Sequence, residues 1–413
     1  MNNNKQLDFN SKNDEAAYYF DQLRNAPESF AYCPEYDPKG YPGVKAIWFT
    51  GASYGGKQTK VFAYIGFPSN ISGEIPAVVL QHGGGGAAYP NWVKMWNDRG
   101  YAAIAVGNTG LYPASKGISN FYDLSNWSHT LSERQLAGDS RVLPPDNDGL
   151  STSQGDLDGQ WMFHAVSQGI IASNILRSFS AVDSDKIGIT GISWGGVITS
   201  VTVGYDKSFA FAVPVYGSPY LTECLGFIGE NFSFAGTAEL WEPSLNINKI
   251  TLPTLWLSWS SDRAFSINSN SKSYLNTPGS SVFSSKIDLG HSHSDGWRSE
   301  EIYRFADSVV KEGLPLTMIT QHTKNARNVS LTINKPSDAV SVTAKVYYIK
   351  SELSYSGSGA TRKMDQEWFS EDCTVSGNDV IVILPNDAHS YYIEITTTVT
   401  GGQSFIITSE FRQ

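Results

Sequence analysis

Charged residues are scarce in this chain. Only 17% of its 413 residues are Asp, Glu, Lys or Arg, whereas an average soluble domain holds about 25%. Acidic residues outnumber basic ones, 40 against 30, for a formal net charge of −10, and no run of Lys or Arg occurs. Because proteins that bind nucleic acid or anionic lipid use clustered positive charge, the sequence predicts neither nucleic acid nor membrane as a partner.

Long apolar runs are absent and cysteine is rare. No apolar stretch approaches the roughly 18 residues of a membrane-spanning helix, and Met1–Asp8 lacks the apolar segment of a signal peptide. We expect a cytoplasmic protein from the sequence as it stands, with secretion left open because a removed signal peptide leaves no trace. Cys33, Cys224 and Cys373 lie far apart, without a Cys-x-x-Cys pair or a Cys/His cluster. They are predicted to be reduced thiols, with no metal site.

The chain is, by contrast, rich in aromatic residues, at 13%, and it is longer than the roughly 100–200 residues of one domain. From residue 44 to 312, short apolar segments such as 75–81 alternate with segments of helical periodicity such as 160–179. This alternation predicts an α/β fold with a mostly parallel sheet and helices on both faces. The polar, Asn-rich residues 1–13 are predicted to be a mobile tail, and residues 14–315 to form the α/β domain.

Residues 108–158 interrupt this alternation. The segment is rich in Gly, Ser, Asn, Pro and Asp, yet it also carries several aromatic residues. Long loops inside compact domains usually act as lids or binding loops, so we predict a lid or substrate-binding insert. Tyr112, Trp127 and His129 are its candidate substrate contacts, because aromatic side chains can stack on flat or ring-shaped groups.

The character of the chain changes after Pro315. Residues 316–413 contain β-branched segments with alternating polarity, such as Val329–Ile333 and Val380–Leu384, separated by Gly, Asn and Asp. This pattern predicts a second domain, a β-sandwich. Carbohydrate binding, cover for the rim of a site, and a homo-oligomer formed through this domain are the roles that the sequence leaves open.

The strongest local motif is Gly191-Ile-Ser193-Trp-Gly195. It follows the apolar segment 186–190 and precedes a segment of helical character. A serine in such a strand–turn–helix setting is lifted clear of the sheet at the start of a helix. The motif alone is weak, since Gly51-Ala-Ser53-Tyr-Gly55 also matches it, but Ser53 lies between two strand-like segments and fits a hairpin turn. Ser193 is therefore the predicted nucleophile.

A serine hydroxyl needs a base, and the base needs a carboxylate to hold its tautomer. Asp262 follows the apolar segment 254–259, so a strand end would deliver its side chain to the same edge of the sheet as Ser193. A plain turn aspartate is the alternative. We predict Asp262 as the acid of a Ser-His-Asp triad.

Two histidines compete for the role of base. Both follow the strand-like segment 285–289, in Gly290-His-Ser-His. We favour His293, because it leaves a short loop before the helix expected at Ser299. His291 lies nearer to the strand end and remains the alternative base.

Stabilising a tetrahedral oxyanion requires two backbone N–H donors. One is predicted at Trp194, and the other in the glycine run after His82, at Gly84 or Gly85. A dinucleotide-binding loop is the rival interpretation, but no G-x-G-x-x-G spacing exists apart from the glycine run and no P-loop lysine follows. His82 and His164 are predicted to be structural histidines.

With these residues in place, residues 60–312 resemble the serine α/β-hydrolase superfamily. The resemblance is to its acetyl xylan esterase and dienelactone-hydrolase-like branch, which borders the prolyl-oligopeptidase-type hydrolases. It implies the α/β-hydrolase fold and an esterase activity. The segments that carry it are Pro76-Ala-Val-Val-Leu-Gln-His-Gly-Gly-Gly-Gly, Gln160-Trp-Met-Phe-His-Ala-Val, Gly191-Ile-Ser-Trp-Gly-Gly, Pro253-Thr-Leu-Trp-Leu-Ser-Trp-Ser-Ser-Asp and Gly290-His-Ser-His.

The chain departs from the family pattern at one place. Where such enzymes often carry an Asp after the fourth strand, this chain has Ala105-Val-Gly-Asn-Thr-Gly. That position is not catalytic, so the predicted triad is unaffected, but the floor of the pocket is expected to differ. Bacterial members often append a β-sandwich that ends in a Ser-Ser-Glu-like strand, and this chain has Ile407-Thr-Ser-Glu near its end.

These residues and this resemblance predict a serine carboxylic-ester hydrolase that works through an acyl-enzyme, with no metal or organic cofactor. Its expected substrates are small acyl esters, of the acetyl type, on sugars or other hydroxylated small molecules. A serine peptidase or amidase that uses the same triad is the second hypothesis. A non-catalytic binding protein on a hydrolase scaffold is the third; the presence of every triad residue type in the expected order speaks against it.

Overall fold

A computed structural model of the chain describes residues 9–25, 29–54, 57–116, 118–128, 157–232 and 237–413. Its first eleven described strands are β1 (Phe30–Tyr32), β2 (Val44–Tyr54), β3 (Lys57–Gly66), β4 (Ile75–Gln81), β5 (Ala102–Val106), β6 (Tyr112–Pro113), β7 (Trp127–Ser128), β8 (Val182–Ile192), β9 (Phe211–Val215), β10 (Thr254–Trp259) and β11 (Ser281–Lys286). Nine of them form one sheet in the order β1-β2-β3-β5-β4-β8-β9-β10-β11. Pairing is antiparallel from β1 to β5 and parallel from there to β11.

The described helices are α1 (Lys12–Arg24), α2 (Pro90–Asn97), α3 (Trp161–Arg177), α4 (Trp194–Tyr205), α5 (Ile228–Asn231), α6 (Thr237–Trp241), α7 (Ile267–Asn276), α8 (His293–Trp297) and α9 (Glu300–Val310). Both faces of the sheet are covered, since alternate side chains of β4 belong to two separate apolar clusters: Val78 and Leu80 to one, Ala77 and Val79 to the other. The predicted α/β fold with a mostly parallel sheet is confirmed.

The predicted tail of residues 1–13 is too long at its C-terminal end. Helix α1 begins at Lys12 because Ser11 caps it, with the Ser11 side chain accepting the N–H of Asp14. The side chain of Phe9 also packs against Tyr18 and Tyr19 of this helix. Residues 1–8 lie outside the described residues.

The connection order of the sheet opens a crevice at one edge. The chain passes from β4 to its neighbour β5 on one side and returns with β8 on the other side of β4. In open α/β sheets, ligands bind beyond the carboxyl ends of the strands at such a reversal of order. The glycine run after β4 and the serine motif after β8 both lie at these ends.

The C-terminal part consists of β12 (Met318–Asn325), β13 (Asn328–Asn334), β14 (Ala339–Ile349), β15 (Tyr355–Ser356), β16 (Lys363–Met364), β17 (Phe369–Asp372), β18 (Thr374–Ser376), β19 (Asp379–Ile383), β20 (Ser390–Val399) and β21 (Ser404–Thr408). They form two four-stranded antiparallel sheets, β12-β13-β19-β18 and β17-β14-β20-β21, and the hairpin β15-β16. Apolar side chains of both four-stranded sheets belong to one buried cluster. The predicted boundary near residue 315 falls between α9 and β12.

Part of the predicted insert 108–158 is described. Strands β6 and β7 pair through Tyr112–Ser128 and Pro113–Trp127, whereas residues 129–156, with the candidate His129, lie outside the described residues. In the described part of the chain, no helix is long and apolar enough to cross a membrane.

Candidate active site

Ser193 occupies a sharp turn between β8 and α4. Its backbone angles are φ 58° and ψ −120°, a conformation that L-residues rarely adopt. The flanking glycines are required by close packing: a Cβ on Gly191 would lie 2.0 Å from the carbonyl oxygen of Gly195, and one on Gly195 would lie 2.0 Å from that of Gln81. The N–H of Ser193 donates to the carbonyl of Val215 at 2.8 Å. The strand–turn–helix setting predicted for this serine is thus present.

Ser193, His291 and Asp262 form a continuous hydrogen-bonded chain. The Ser193 Oγ lies 2.9 Å from Nε2 of His291, and Nδ1 of His291 lies 2.8 Å from Oδ2 of Asp262. Since a carboxylate can only accept, Nδ1 carries the proton and Nε2 is free to accept the serine hydroxyl. The side chain of Asp262 is fully buried and that of His291 is 16% exposed. This arrangement can remove a proton from Ser193 and hold the resulting imidazolium.

The ring of His291 is fixed from two directions. Tyr216 lies with its ring centroid 4.7 Å away, and the ring of Phe265 is stacked at 6.0 Å. The buried Tyr216 hydroxyl donates to the carbonyl of Gly290 at 2.7 Å, next to His291. The second carboxylate oxygen of Asp262 accepts the N–H of Ala264 at 2.8 Å.

The preference for His293 as the residue between Ser193 and Asp262 is wrong. His293 is the first residue of α8, and its Nε2 accepts the N–H of Gly83 at 2.9 Å. That contact uses the lone pair that a base would need to accept the serine proton. Burial, with smaller effects of His82 and His291, lowers the pKa of His293 to about 3.

The glycine run after β4 forms a tight turn beside Ser193. The N–H of Gly86 donates to the carbonyl of Gly83 at 3.1 Å, and Gly85 has φ +65°. A Cβ on Gly83 would lie 3.0 Å from Cβ of Ser193, whereas one on Gly85 would meet nothing within 4 Å. Among the described residues, the N–H groups of Gly84 and Trp194 have no hydrogen-bond acceptor, as expected of Trp194 at the start of a helix.

Buried polar side chains support the base of this loop. His82 is 1% exposed, its Nδ1 lies 2.8 Å from the carbonyl of Gly83, and burial lowers its pKa to about 4. Asn108, in the segment where the resemblance led us to expect an Asp, donates to the His82 carbonyl at 3.0 Å and to the Gln81 side chain at 3.2 Å. The other predicted structural histidine, His164, is also buried.

Tyr112 and Trp127, the described candidates for substrate contacts, pack away from the Ser193–His291–Asp262 chain. Trp127 is buried, its indole N–H donates to the carbonyl of Phe121, and its ring packs against Phe62. Tyr112 packs against Tyr36 and Trp48. None of these contacts involves the Ser193 chain, so the structure does not bring Tyr112 and Trp127 to it.

Sequence reasoning missed a different aromatic group. Tyr122 is 55% exposed, and its ring lies 5.6 Å from Tyr89 and 6.1 Å from Trp297. Tyr89 in turn lies 5.0 Å from His293, which contacts the glycine turn. In the sequence Tyr122 is one of several aromatic residues of the insert 108–158, and no local pattern singles it out as a substrate contact, because its partners lie far away along the chain.

The C-terminal part reaches the loop that carries Asp262. Trp368 donates its indole N–H to Ser261 Oγ at 3.1 Å, and Arg263 donates to the carbonyl of Ala360 at 3.1 Å. A hydrogen bond of 2.9 Å also joins Ser260 Oγ to the hydroxyl of Tyr392. No local sequence pattern predicted these contacts.

No group of three or more His, Cys, Asp or Glu side chains in the described part of the chain is arranged to hold a metal ion. The three cysteines are free thiols, with Cys33 and Cys224 buried.

A mostly parallel sheet with a serine in a strained turn after a central strand defines the α/β-hydrolase class.

Within that class, the chain belongs to the acetyl xylan esterase family. The family model, described as Acetyl xylan esterase (AXE1), matches residues 10–225, slightly more than half of the chain. The protein is therefore a carboxylic ester hydrolase. The matched stretch includes Ser193 and the glycine run and ends before Asp262 and His291.

Solved structures of two acetyl xylan esterases are similar to this chain. The enzyme from Paenibacillus sp. R4 has a TM-score of 0.51 at 17% identity, over 74% of this chain and 96% of its own. Acetyl xylan esterase 1 from Thermoanaerobacterium sp. JW/SL YS485 has a TM-score of 0.52 at 14% identity, over 73% of this chain and 93% of its own. At these identities the likeness concerns the fold. No curated protein sequence matches the chain significantly.

Proposed function

We propose that the protein is a serine esterase in which Ser193 is the nucleophile, His291 the base and Asp262 the orienting acid. The observation that carries the proposal is the unbroken chain from Ser193 Oγ to His291 at 2.9 Å and from His291 to Asp262 at 2.8 Å. The strained backbone of Ser193 supports it as well, because strain of this kind is concentrated at functional sites.

In the first half of the reaction, Ser193 Oγ attacks the ester carbonyl and its proton passes to Nε2 of His291. The buried carboxylate of Asp262 stabilises the imidazolium that forms. His291 then protonates the leaving alkoxide, which leaves an acyl-enzyme on Ser193. In the second half, water attacks this acyl group while His291 takes a proton from the water; the bond from the acyl carbon to Ser193 Oγ then breaks, His291 returns the proton to Oγ, and the carboxylic acid leaves.

The N–H groups of Trp194 and Gly84 are the proposed oxyanion donors. Both lack an acceptor among the described residues, so both are available to a developing negative charge. Gly83 packs against Ser193, but its N–H is already given to His293. Gly84 is preferred to Gly85, the other predicted donor, because it directly follows Gly83, whose Cβ position lies 3.0 Å from Cβ of Ser193.

The proposed substrates are acetyl-type esters of sugars or other hydroxylated small molecules. The family description supports the acetyl group. The exposed ring of Tyr122, beside Tyr89 and Trp297, supports a ring-shaped alcohol part, because aromatic rings pack against the apolar faces of such groups.

The test combines labelling by a fluorophosphonate with hydrolysis of short-chain nitrophenyl esters and a panel of peptide amides. We expect wild type to be labelled and to hydrolyse the esters. Ser193→Ala should abolish labelling, and Ser193→Ala and His291→Ala should each lower kcat by about 10⁶-fold, the loss typical of a triad. Ser53→Ala is the matched control, since Ser53 lies in the second motif of the same form and outside the site; it should retain full activity.

Three results would contradict the proposal. Wild type that neither reacts with the fluorophosphonate nor cleaves esters would remove the esterase activity. Cleavage of amides without cleavage of esters would favour a peptidase. Full activity in His291→Ala would show that another residue is the base.

A further inference from the structure

We propose that His293 is a positioning residue: by accepting the N–H of Gly83, it holds the glycine turn, and with it the oxyanion donor of Gly84, in place beside Ser193. The inference rests on the function proposed above. It gives His293 a task that is separate from proton transfer.

Two histidines bind the Gly83 backbone, one at its N–H and one at its carbonyl. The N–H of Gly83 donates to Nε2 of His293 at 2.9 Å, and its carbonyl accepts from Nδ1 of His82 at 2.8 Å. The same carbonyl also accepts the N–H of Gly86. Because a backbone N–H can only donate, Nε2 of His293 must be unprotonated and its ring must stay neutral for this contact to exist.

The space around these groups leaves the turn little freedom. A Cβ on Gly86 would lie 2.7 Å from Nε2 of His293 and 2.8 Å from Nδ1 of His82. A Cβ on Gly83 would lie 2.6 Å from the carbonyl oxygen of Ile192. The turn is therefore packed directly between the two histidines and the backbone that leads into Ser193.

Fixing Gly83 fixes the next peptide unit, which carries the N–H of Gly84. Oxyanion donors are effective because they point at the developing charge before it forms, so a donor that moves loses much of its effect. If residue 293 offered no acceptor, the N–H of Gly83 would be left unpaired in a partly buried position. An unpaired buried donor costs free energy, so the backbone would rearrange to pair this N–H elsewhere. The glycine turn would then shift relative to Ser193.

The experiment compares His293→Leu, which removes the acceptor, with His293→Gln, whose side-chain oxygen can take the place of Nε2. We expect His293→Leu to lower kcat on short-chain nitrophenyl esters by about tenfold to a hundredfold with KM nearly unchanged, because the loss falls on the transition state. His293→Gln should recover most of this loss.

A second readout separates oxyanion binding from general damage to the fold. A trifluoromethyl ketone adds to Ser193 Oγ, its proton goes to His291, and the hemiketal oxyanion takes the same two donors; the matching methyl ketone stays a ketone. His293→Leu should weaken inhibition by the trifluoromethyl ketone by the same factor as kcat/KM and leave binding of the methyl ketone unchanged. Equal kcat/KM and equal inhibition in wild type and His293→Leu would overturn the proposal.

One measurement needs neither a variant nor any activity. In ¹⁵N-labelled, deuterated wild type, the contact predicts a scalar coupling across the N–H···N hydrogen bond between Gly83 and His293, with His293 neutral and protonated at Nδ1. A proton on Nε2 of His293 at neutral pH would overturn the proposal, even if His293→Leu fails to fold. If the coupling is present but no ester is cleaved, the proposed function has failed and the positioning contact has not.

Discussion

At the scale of single residues, three histidines near the proposed nucleophile have been given different tasks by their hydrogen-bond partners. His291 donates its Nδ1 proton to the carboxylate of Asp262, which leaves its Nε2 free to accept the hydroxyl of Ser193. His82 and His293 bind the carbonyl and the N–H of Gly83 instead. No carboxylate compensates for a charge on either ring at these contacts, so both are kept neutral. The partner, more than the distance from Ser193, decides which histidine can act as a base.

The neutral histidines predict a loss of stability in acid. The pKa is about 4 for His82 and about 3 for His293 in the folded protein, below the 6.5 of an ordinary histidine. As the pH falls below about 6.5, the unfolded chain binds protons that the folded protein does not, so the free energy of unfolding decreases. Their stabilising effect is complete above pH 6.5 and is lost towards pH 4 and 3.

Urea unfolding of wild type and His293→Gln between pH 8 and pH 4 checks this prediction. Glutamine does not titrate, so the variant should lose less stability than wild type as the pH falls through this range. Using the difference between the two proteins cancels the contribution of carboxylates elsewhere in the chain. Identical pH dependence in both would show that His293 is protonated in the folded protein as easily as in the unfolded chain.

The choice between His291 and His293 shows the limit of sequence reasoning at this scale. Ser193 and Asp262 were predictable because each follows an apolar strand. The histidines lie in one loop, and the spacing argument assumed that no helix stood before Ser299. The structure has the short helix α8 there, capped by the Ser292 side chain, which accepts the N–H of Asp295. The pattern Ser-x-x-Asp at Ser292 is typical of a helix start and indicates this helix. Only the tertiary structure, however, shows that Nε2 of His293 accepts the N–H of Gly83.

At the scale of elements, the loop between β10 and α7 carries Asp262 and is held by the C-terminal part of the chain. Each neighbour of Asp262 in this loop makes a hydrogen bond to the C-terminal part of the chain; these neighbours are Ser260, Ser261 and Arg263. A loop held on both sides of a buried carboxylate keeps that carboxylate aimed at its histidine. The C-terminal part therefore contributes to the geometry of the site without supplying any of the three proposed catalytic residues.

Trp368→Phe tests this contribution, since it removes the indole N–H that binds Ser261, together with part of the ring that packs against Tyr392 and Phe411. We expect a loss of about 1 kcal/mol in stability from the hydrogen bond, its usual net value, and a further loss from the smaller ring. We also expect kcat to fall by about two- to tenfold, because Asp262 becomes less well positioned. Both effects are measured by urea unfolding and by ester hydrolysis.

Ser261→Ala is the matched control, since it removes the same bond from the other side. If the bond is what matters for kcat, the double variant Trp368→Phe with Ser261→Ala should lose little more than Trp368→Phe alone. Additive losses would mean that Trp368 acts through packing, and an unchanged kcat would mean that the loop keeps its geometry without the bond.

Elements with a clear apolar period were predictable, and β11 shows why others were not. The sequence placed a strand at 285–289, whereas β11 spans Ser281–Lys286. Its buried serines are paired by the C-terminal part: Ser284 Oγ donates to the carbonyl of Ile406 at 2.7 Å, and the N–H of Ser285 donates to Thr408 Oγ1 at 3.1 Å. A strand whose polar residues are satisfied by a distant segment carries no local signal of burial.

At the scale of the whole molecule, these bonds join the two parts along the edge of the main sheet. β11 is the last strand of that sheet, and exposed edge strands offer unpaired backbone groups to other chains. Buried Glu301 of α9 binds the N–H of Ile406 at 2.8 Å and pairs with Lys286 at 2.6 Å. Arg304 of the same helix holds Asp338 through two hydrogen bonds. The C-terminal part thus covers the edge of the hydrolase sheet as well as supporting the loop of Asp262.

Among the residues where the two parts of the molecule meet, Glu394 is one whose negative charge is expected to lower the stability of the folded protein. It lies on β20, is 8% exposed, and its Oε2 has no hydrogen-bond partner among the described residues. Burial, followed by the charge of Asp288, raises its pKa from 4.5 to about 7, although Lys286 and Lys345 act in the opposite direction. Between pH 4.5 and 7 the unfolded chain releases a proton that the folded protein keeps. The contribution of Glu394 to stability is therefore greatest below pH 4.5 and is lost as the pH rises to about 7.

Glu394→Gln should consequently raise the midpoint of thermal unfolding relative to wild type at pH 8 and leave it nearly unchanged at pH 4, where the carboxyl is already neutral. Glu371→Gln on β17 is the control, because Glu371 is exposed and the same loss of charge there should have little effect at either pH. A variant less stable than wild type at pH 8 would mean that the folded protein holds Glu394 as a paired carboxylate. In that case the ionised carboxylate of Glu394 would stabilise the contact between the two parts of the molecule, although its burial is expected to keep this carboxyl neutral.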